Sequence, residues 1–392
     1  MIQRFIFLFF LACTLGLHPS VHAESTATTS PTQTAVFATT PTLKPDGSRW
    51  RVGYVESGDY PDYVETLSAT IKGLERLEWL SLTDQIPQNT TGHEMWQWLA
   101  THTVSPYVQF VDEAFWHPGN FDASKREAMR QAISERLQTR HDIDLIIAMG
   151  TWAGQDMRTL GPPVPTVVGS TSDPVAAGIT DSPQDSGREN LHARVEPERY
   201  QRQLRLFHEI MPFKTLGVVY EDSPEGRTYA AVPAIKEISK ALGFEVEYCN
   251  APSNSIPLEA AINNAVRCYQ TLAKSDVDAV YVTTHRGVTA TSVVQIADAL
   301  KKAKIPSFSM AGSEQVEAGL LLSLARAQPA HVALFYAETI ARIFNGARPR
   351  QLSQLWIDPP KIALNLKTTR IIGFNPPVDI LLAADEVYGA DQ

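Results

Sequence analysis

From Trp50 onward, short apolar runs alternate with longer amphipathic stretches, and the runs end in clusters of small polar residues. The runs "RVGYV", "YVQFV", "DLIIAMG" and "PTVVGS" read as strands. Between them lie "DYVETLSATIKGLERL", "SKREAMRQAISERLQTR" and "TWAGQDMRTL", which carry helical periodicity. Strands separated by helices are βαβ units, which build a mainly parallel sheet with helices on both faces. Such a sheet places all its strand C-terminal ends on one edge. Each following helix points its N-terminus at that edge, where free amides and the helix dipole favour an anionic group.

The polar clusters fall at those ends. They are Ser57-Gly58 after "VGYVE", Gly150-Thr151-Trp152 after "LIIAM", and Ser170 to Asp173 after "TVV". In the second half they are Asp222 to Glu225 after "GVVY", Thr283-Thr284-His285 after "AVYV", and Ser309 to Ser313 after "PSF". Each cluster also reads as a simple helix cap. Ser223 before Pro224 and Asp173 before Pro174 are good N-caps. Trp152 suits a core or an apolar wall beside a ligand. His285-Arg286 suits an anion contact or a helix start in water, the latter favoured for Arg286.

The polar, aperiodic stretch Asp181–Glu196 breaks the pattern, after which the alternation restarts. The expected organisation is therefore two α/β lobes. Residues 49–180 with about 328–350 form the first lobe, residues 190–327 the second, and residues 351–392 a strand–helix segment closing the lobes. A single helix is expected from Pro224 to Leu242. Leu80–Pro106 interrupts the first βαβ unit. It reads as a surface helix packing one of Trp96 and Trp98 and half exposing the other, with a lid as the alternative.

The N-terminus indicates export. Arg4, an apolar core and Val21-His22-Ala23 have the form of a signal peptide over residues 1–23. The apolar run is shorter than the ~18–20 residues that span a bilayer. Cys13 is poorly placed for a lipid anchor. Residues 24–48, rich in Ser, Thr and Pro, read as a disordered leader. A net charge of −9 argues against nucleic-acid binding. Export permits a disulfide between Cys249 and Cys268. However, Cys249 ends a strand and Cys268 lies deep in the next helix, an arrangement expected to hold them apart.

No catalytic motif is present. Gly169-Ser170-Thr171-Ser172-Asp173 fails the nucleophile-elbow pattern, and Walker A, GxGxxG, HExxH and CxxC patterns are missing from the sequence. The reading is a binding protein, not an enzyme, with no cofactor and no metal.

Four segments together resemble the exported substrate-binding proteins of ABC transporters, in the group that binds tryptophan and other aromatic amino acids. They are "DLIIAMGTWAG", "PTVVGSTSDPVAAGI", "EIMPFKTLGVVYEDSPEG", and "SMAGSEQVEAGLLLSLA" with "ALNLKTTRIIGFNPP". The resemblance implies a two-lobed periplasmic-binding-protein type I clamp that closes on a small ligand by hinge bending. It implies that Thr151, Thr171 and Ser172 bind a ligand carboxylate, that Ser57, Tyr220 and Thr284 complete the cleft, and that Glu225 meets an amine. With Trp152, Ser223, His285 and Ser309 from the strand-end clusters, these are the candidate ligand-binding residues. After "YVTT" this chain carries His285-Arg286-Gly287, where aromatic-binding members commonly place an acidic and an amide residue. An amino acid is the first-choice ligand, with a more anionic molecule as the variant. The implied partner is an inner-membrane ABC permease, and the implied state a periplasmic monomer. A ligand sensor signalling to a receptor or kinase is the alternative on the same clamp.

Overall fold

The computed structural model describes residues 37–325, 329–357 and 361–390. The expected signal peptide and the leader up to residue 36 lie outside the described residues. The remainder builds two large sheets, each covered by helices, and a two-stranded one that pairs Ser81–Leu82 with Thr103–Val104. The first is wholly parallel, in the order Val108–Trp116, Trp50–Glu56, Leu145–Met149, Thr166–Gly169, Leu191–Ala193. The period-two side-chain alternation of a strand divides its residues between two cores. Leu145, Ile147 and Met149 join one core with Tyr54, Leu67 and Trp96. Ile146 and Ala148 join the opposite one with Ile133 and Met157.

The second sheet has seven strands. Glu245–Asn250, Thr215–Tyr220, Ala279–Val282, Ser307–Ser309 and Leu322–Ala325 run parallel. Lys361–Asn365 then pairs antiparallel to Leu322–Ala325, and Ala384–Tyr388 lies parallel beside it at the edge. This differs from the expected segmentation at two points. Leu191–Ala193 completes the first sheet instead of opening the second lobe. The C-terminal strands extend the second sheet instead of closing the two lobes.

The helix Pro329–Phe344 returns to the first lobe and packs on Pro61–Arg76. The two backbones meet at Gly73, where a Cβ would lie 2.6 Å from the Ala333 carbonyl oxygen. Two crossings between the sheets are paired with each other. Val195 N donates to Gln354 O at 2.8 Å and Trp356 N to Val195 O at 2.9 Å, forming a short parallel bridge between Val195 and Leu355.

Further expectations are corrected. Residues 37–48 are packed, not loose. Asn345 Nδ2 donates to the carbonyls of Ala38 and Thr40, Trp79 Nε1 to Thr39 O, and Lys44 pairs with Asp144 at 2.8 Å. Trp50 Nε1 adds a bond to Thr42 O at 2.8 Å, and together these contacts hold the segment down. The helix expected from Pro224 to Leu242 is two, Pro224–Tyr229 and Val232–Leu242, broken where Ala231 takes a left-handed φ of 53°. No helix follows Ser170–Asp173, only turns.

Cys249 and Cys268 form a disulfide, with 5.6 Å between Cα atoms. The helix Leu258–Leu272 starts well beyond the sheet edge, because residues 251–257 reach outward first. Ten residues of helix, roughly 15 Å at 1.5 Å per residue, then bring Cys268 back level with the strand end.

In the Leu80–Pro106 insertion, the helix Gly92–His102 is opened by a capping box between Thr91 and Glu94. Trp96 is fully buried and Trp98, half-buried, stacks on His102. Among the described residues no helix is long and apolar enough to cross a membrane.

Candidate functional site

A cleft enclosing about 770 Å³, part of it open to solvent, lies where the C-terminal edges of the two sheets face each other. The first lobe lines it with Ser57, Tyr60, Asp62, Tyr63, Phe121, Thr151, Trp152, Ser170, Thr171, Ser172 and Arg194. The second contributes Arg199, Tyr200, Tyr229, Asn254, Thr284 and Arg286. Aromatic rings thus form much of the wall, with three guanidinium groups and one carboxylate among them.

The helix Thr151–Leu160 starts in this cleft. Its N-cap is Gly150 at φ 94°, and no side chain caps its first turn. Neither a left-handed backbone nor the space permits another residue there. A Cβ on Gly150 would lie 2.0 Å from Tyr63 Oη and 2.8 Å from Ser57 Oγ. The first-turn amides are therefore open, beside hydroxyls on two sides, which is the arrangement that receives an anion. Burial pushes the Tyr63 phenol pKa well up, so that group stays a neutral hydroxyl. Trp152 is 5% exposed. It stands edge-on to Phe121, with 5.9 Å between centroids. The Arg126 guanidinium lies over its ring, 4.7 Å from the centroid.

The stretch after Thr166–Gly169 divides its labour. Asp173 Oδ1 accepts from Val175 N and Ala176 N and so closes the turn. Ser170, at φ 52°, directs its hydroxyl to Asp62. Thr171 and Ser172 are left lining the cleft, and Ser172 O accepts from Tyr200 Oη of the opposite lobe at 3.0 Å.

Six of the eleven candidate residues line this cleft: Ser57, Thr151, Trp152, Thr171, Ser172 and Thr284. The other five lie elsewhere. Tyr220 packs its ring on Tyr248 at 5.4 Å. Ser223 caps its own helix, accepting from Gly226 N. Glu225 faces Arg126 across the lobes at 3.5 Å, outside the cleft. Ser309 Oγ donates to Gln315 Oε1 and accepts from Gly312 N. His285 is buried in the lobe. Its Nδ1 accepts from Gly287 N and its Nε2 therefore donates to Ala251 O at 2.7 Å. Burial lowers its pKa, so it is a neutral structural group and not an anion contact.

Arg286 is half-buried and tied to its own lobe. Its Nη1 donates to Ser253 O at 2.8 Å and to Ile256 O at 2.6 Å. Phe121, Tyr229 and Asn254 escaped sequence reasoning because they come from turns and a helix end rather than from strand ends, and Arg194 because the strand before it, Leu191–Ala193, lies in a stretch that reads as aperiodic. The readable signals were Gly119-Asn120 ahead of Phe121 and Glu221 directly after "GVVY". The Glu221 carboxylate accepts from Ser253 N, Asn254 N, Asn254 Nδ2 and Tyr229 Oη, and thereby sets two cleft residues.

Among the described residues, no cluster of His, Cys, Asp and Glu is arranged to hold a metal ion. A family described as ABC transporter substrate binding protein matches residues 119–388. No sequence among the curated proteins matches the chain. Among solved structures, an ABC domain from Streptococcus pneumoniae in complex with L-Trp is 18% identical. It covers 87% of this chain and 100% of its own, at a TM-score of 0.64. A conserved domain protein from Vibrio cholerae is 18% identical over 86% of this chain and 99% of its own, at 0.62. The ligand-free, open structure of CD0873 from Clostridium difficile, a substrate-binding protein with adhesive properties, is 21% identical. It covers 87% of this chain and 100% of its own, at 0.56. At these identities the likeness concerns the two-lobed fold.

Proposed function

Because the chain belongs to the ABC transporter substrate-binding protein family, we propose that it captures a small carboxylate-bearing ligand, an amino acid or close relative, between its lobes and delivers it to a membrane permease. The observation that carries this reading is the uncapped start of the helix Thr151–Leu160 inside an aromatic-walled cleft. A carboxylate there meets open amides and the hydroxyls of Ser57, Thr151, Thr171 and Ser172. Asp62 replaces Glu225 as the group for an amine, since it is the one carboxylate lining the cleft. Rings of Tyr60, Phe121, Trp152 and Tyr229 suit an apolar or aromatic side chain. Export as a periplasmic monomer and recovery of the ligand chemically intact belong to the same reading.

Mass spectrometry of small molecules released on denaturing the purified protein should identify an intact amino-acid-like compound. Calorimetry should then show Thr151→Ala/Thr171→Ala losing on the order of 3–6 kcal/mol of binding free energy, two hydrogen bonds to a charged group. An unchanged affinity in a folded double variant refutes the carboxylate site. Release of a compound with neither carboxylate nor amine refutes the ligand class.

A further inference from the structure

Arg286 and Arg199 both line the cleft from the second lobe, but their charges are met differently. Arg199 stands 3.8 Å from the Glu196 carboxylate. Arg286 forms no ion pair with a carboxylate among the described residues. Glu221 and Asp59 act on it only through space. Glu221 is already engaged, accepting from Ser253 N, Ser253 Oγ, Asn254 N and Asn254 Nδ2.

The Arg286 side chain is nevertheless held in place. Its Nη1 spends both hydrogens on Ser253 O and Ile256 O, which fixes one end of the guanidinium. Nε and Nη2 make no hydrogen bond to the described residues, and neither does the hydroxyl of Thr284, another cleft residue. Holding a half-buried charge costs desolvation, and a guanidinium does not shed its proton to escape it. An anionic group offsets that cost, and the remaining donors of the fork suit a carboxylate.

This place complements the helix start at Thr151. One lies in each lobe, and Phe121 neighbours both. Its ring centroid is 5.9 Å from that of Trp152 and 5.4 Å from the Arg286 guanidinium. A small molecule spanning the cleft can meet the helix amides with one acid group and Arg286 with another.

We propose that Arg286 determines specificity by taking a second acid group of the ligand, so that the cleft selects compounds with two acid groups over those with one. The inference rests on the carboxylate site proposed above for the first of them.

The test uses matched pairs that differ in that group alone, titrated by calorimetry. They are L-glutamate with L-glutamine, and 4-carboxy-L-phenylalanine with L-phenylalanine. In at least one pair the acid should bind roughly tenfold tighter or more, the equivalent of one hydrogen bond between charged groups. Arg286→Met should bring that ratio close to one. Arg286→Lys keeps the charge but loses the fork, and should restore part of the ratio. A merely structural role would weaken both members and leave the ratio standing, which overturns the proposal. So does a neutral member that binds as tightly as its acid, or the failure of both acids to bind. The compound released from the purified protein should likewise carry two acid groups. Release of an amino acid with a single carboxylate overturns this proposal and leaves the amino-acid reading intact, whereas a compound with no carboxylate removes both.

Discussion

Glu56 ends the first strand of the first lobe with its side chain turned inward, 2% exposed. Its carboxyl lies against Gly92 at the start of the insertion helix and takes a hydrogen bond from Tyr54 Oη at 3.0 Å. Burial pushes its pKa up from 4.5 to about 8, with the Tyr54 bond opposing and the Asp59 charge adding to the rise. Between those two values the native chain keeps a proton that the unfolded chain has released. Unfolding free energy must then fall as pH rises through this window, and level off above it. At 1.36 kcal/mol per pKa unit, the whole excursion is about 5 kcal/mol. Glu56→Gln copies the neutral acid and retains an acceptor for Tyr54. Denaturant titrations at intervals from pH 5 to pH 9 should show the variant gaining on the parent by several kcal/mol between pH 5 and 8. Parallel stability curves would show that Glu56 is ionised or solvated in the native state, and the reasoning would fail.

His192 should produce the opposite slope. It is fully buried, its Nε2 lies 3.0 Å from Ser353 O, and burial lowers its pKa from 6.5 to about 4. The unfolded chain binds the proton first on acidification, so stability is lost as pH falls from 6.5 to 4, by about 3 kcal/mol. Replacing it by Gln should flatten that acid limb in the same titrations. The Cys249–Cys268 bridge closes a loop of sequence separation 19, and opening it with Cys249→Ser/Cys268→Ser should cost about 3 kcal/mol on the loop-entropy argument, read as a lower denaturation midpoint.

What could be read ahead of the structure was set by topology. A strand such as Leu145–Met149 is buried on both faces, so its residue types alone mark it. Once strands are parallel, the positions after them share an edge, which marks the clusters at Ser57, Thr151 and Ser170 to Asp173, and the family resemblance singled out Thr151, Thr171 and Ser172. The misses have one physical origin. Whether a side chain just past a strand turns to the cleft or into its own lobe depends on contacts distant in sequence. Ala251 O draws His285 inward, and Arg126 draws Glu225 to the outer rim. The disulfide was hidden in the reach of residues 251–257, which periodicity does not encode. Tyr229 and Asn254 owe their places to Glu221, which lies 8 residues from the first and 33 from the second.

The paired crossing at Val195 and Leu355 bears on how the lobes can move. A single connecting strand can twist and sway as well as bend. Two segments held side by side by such a bridge form a narrow strip, a shape that bends across its width more readily than it twists. A hinge of that shape favours bending of one lobe towards the other. Closure is then weighted towards one coordinate rather than spread over orientations.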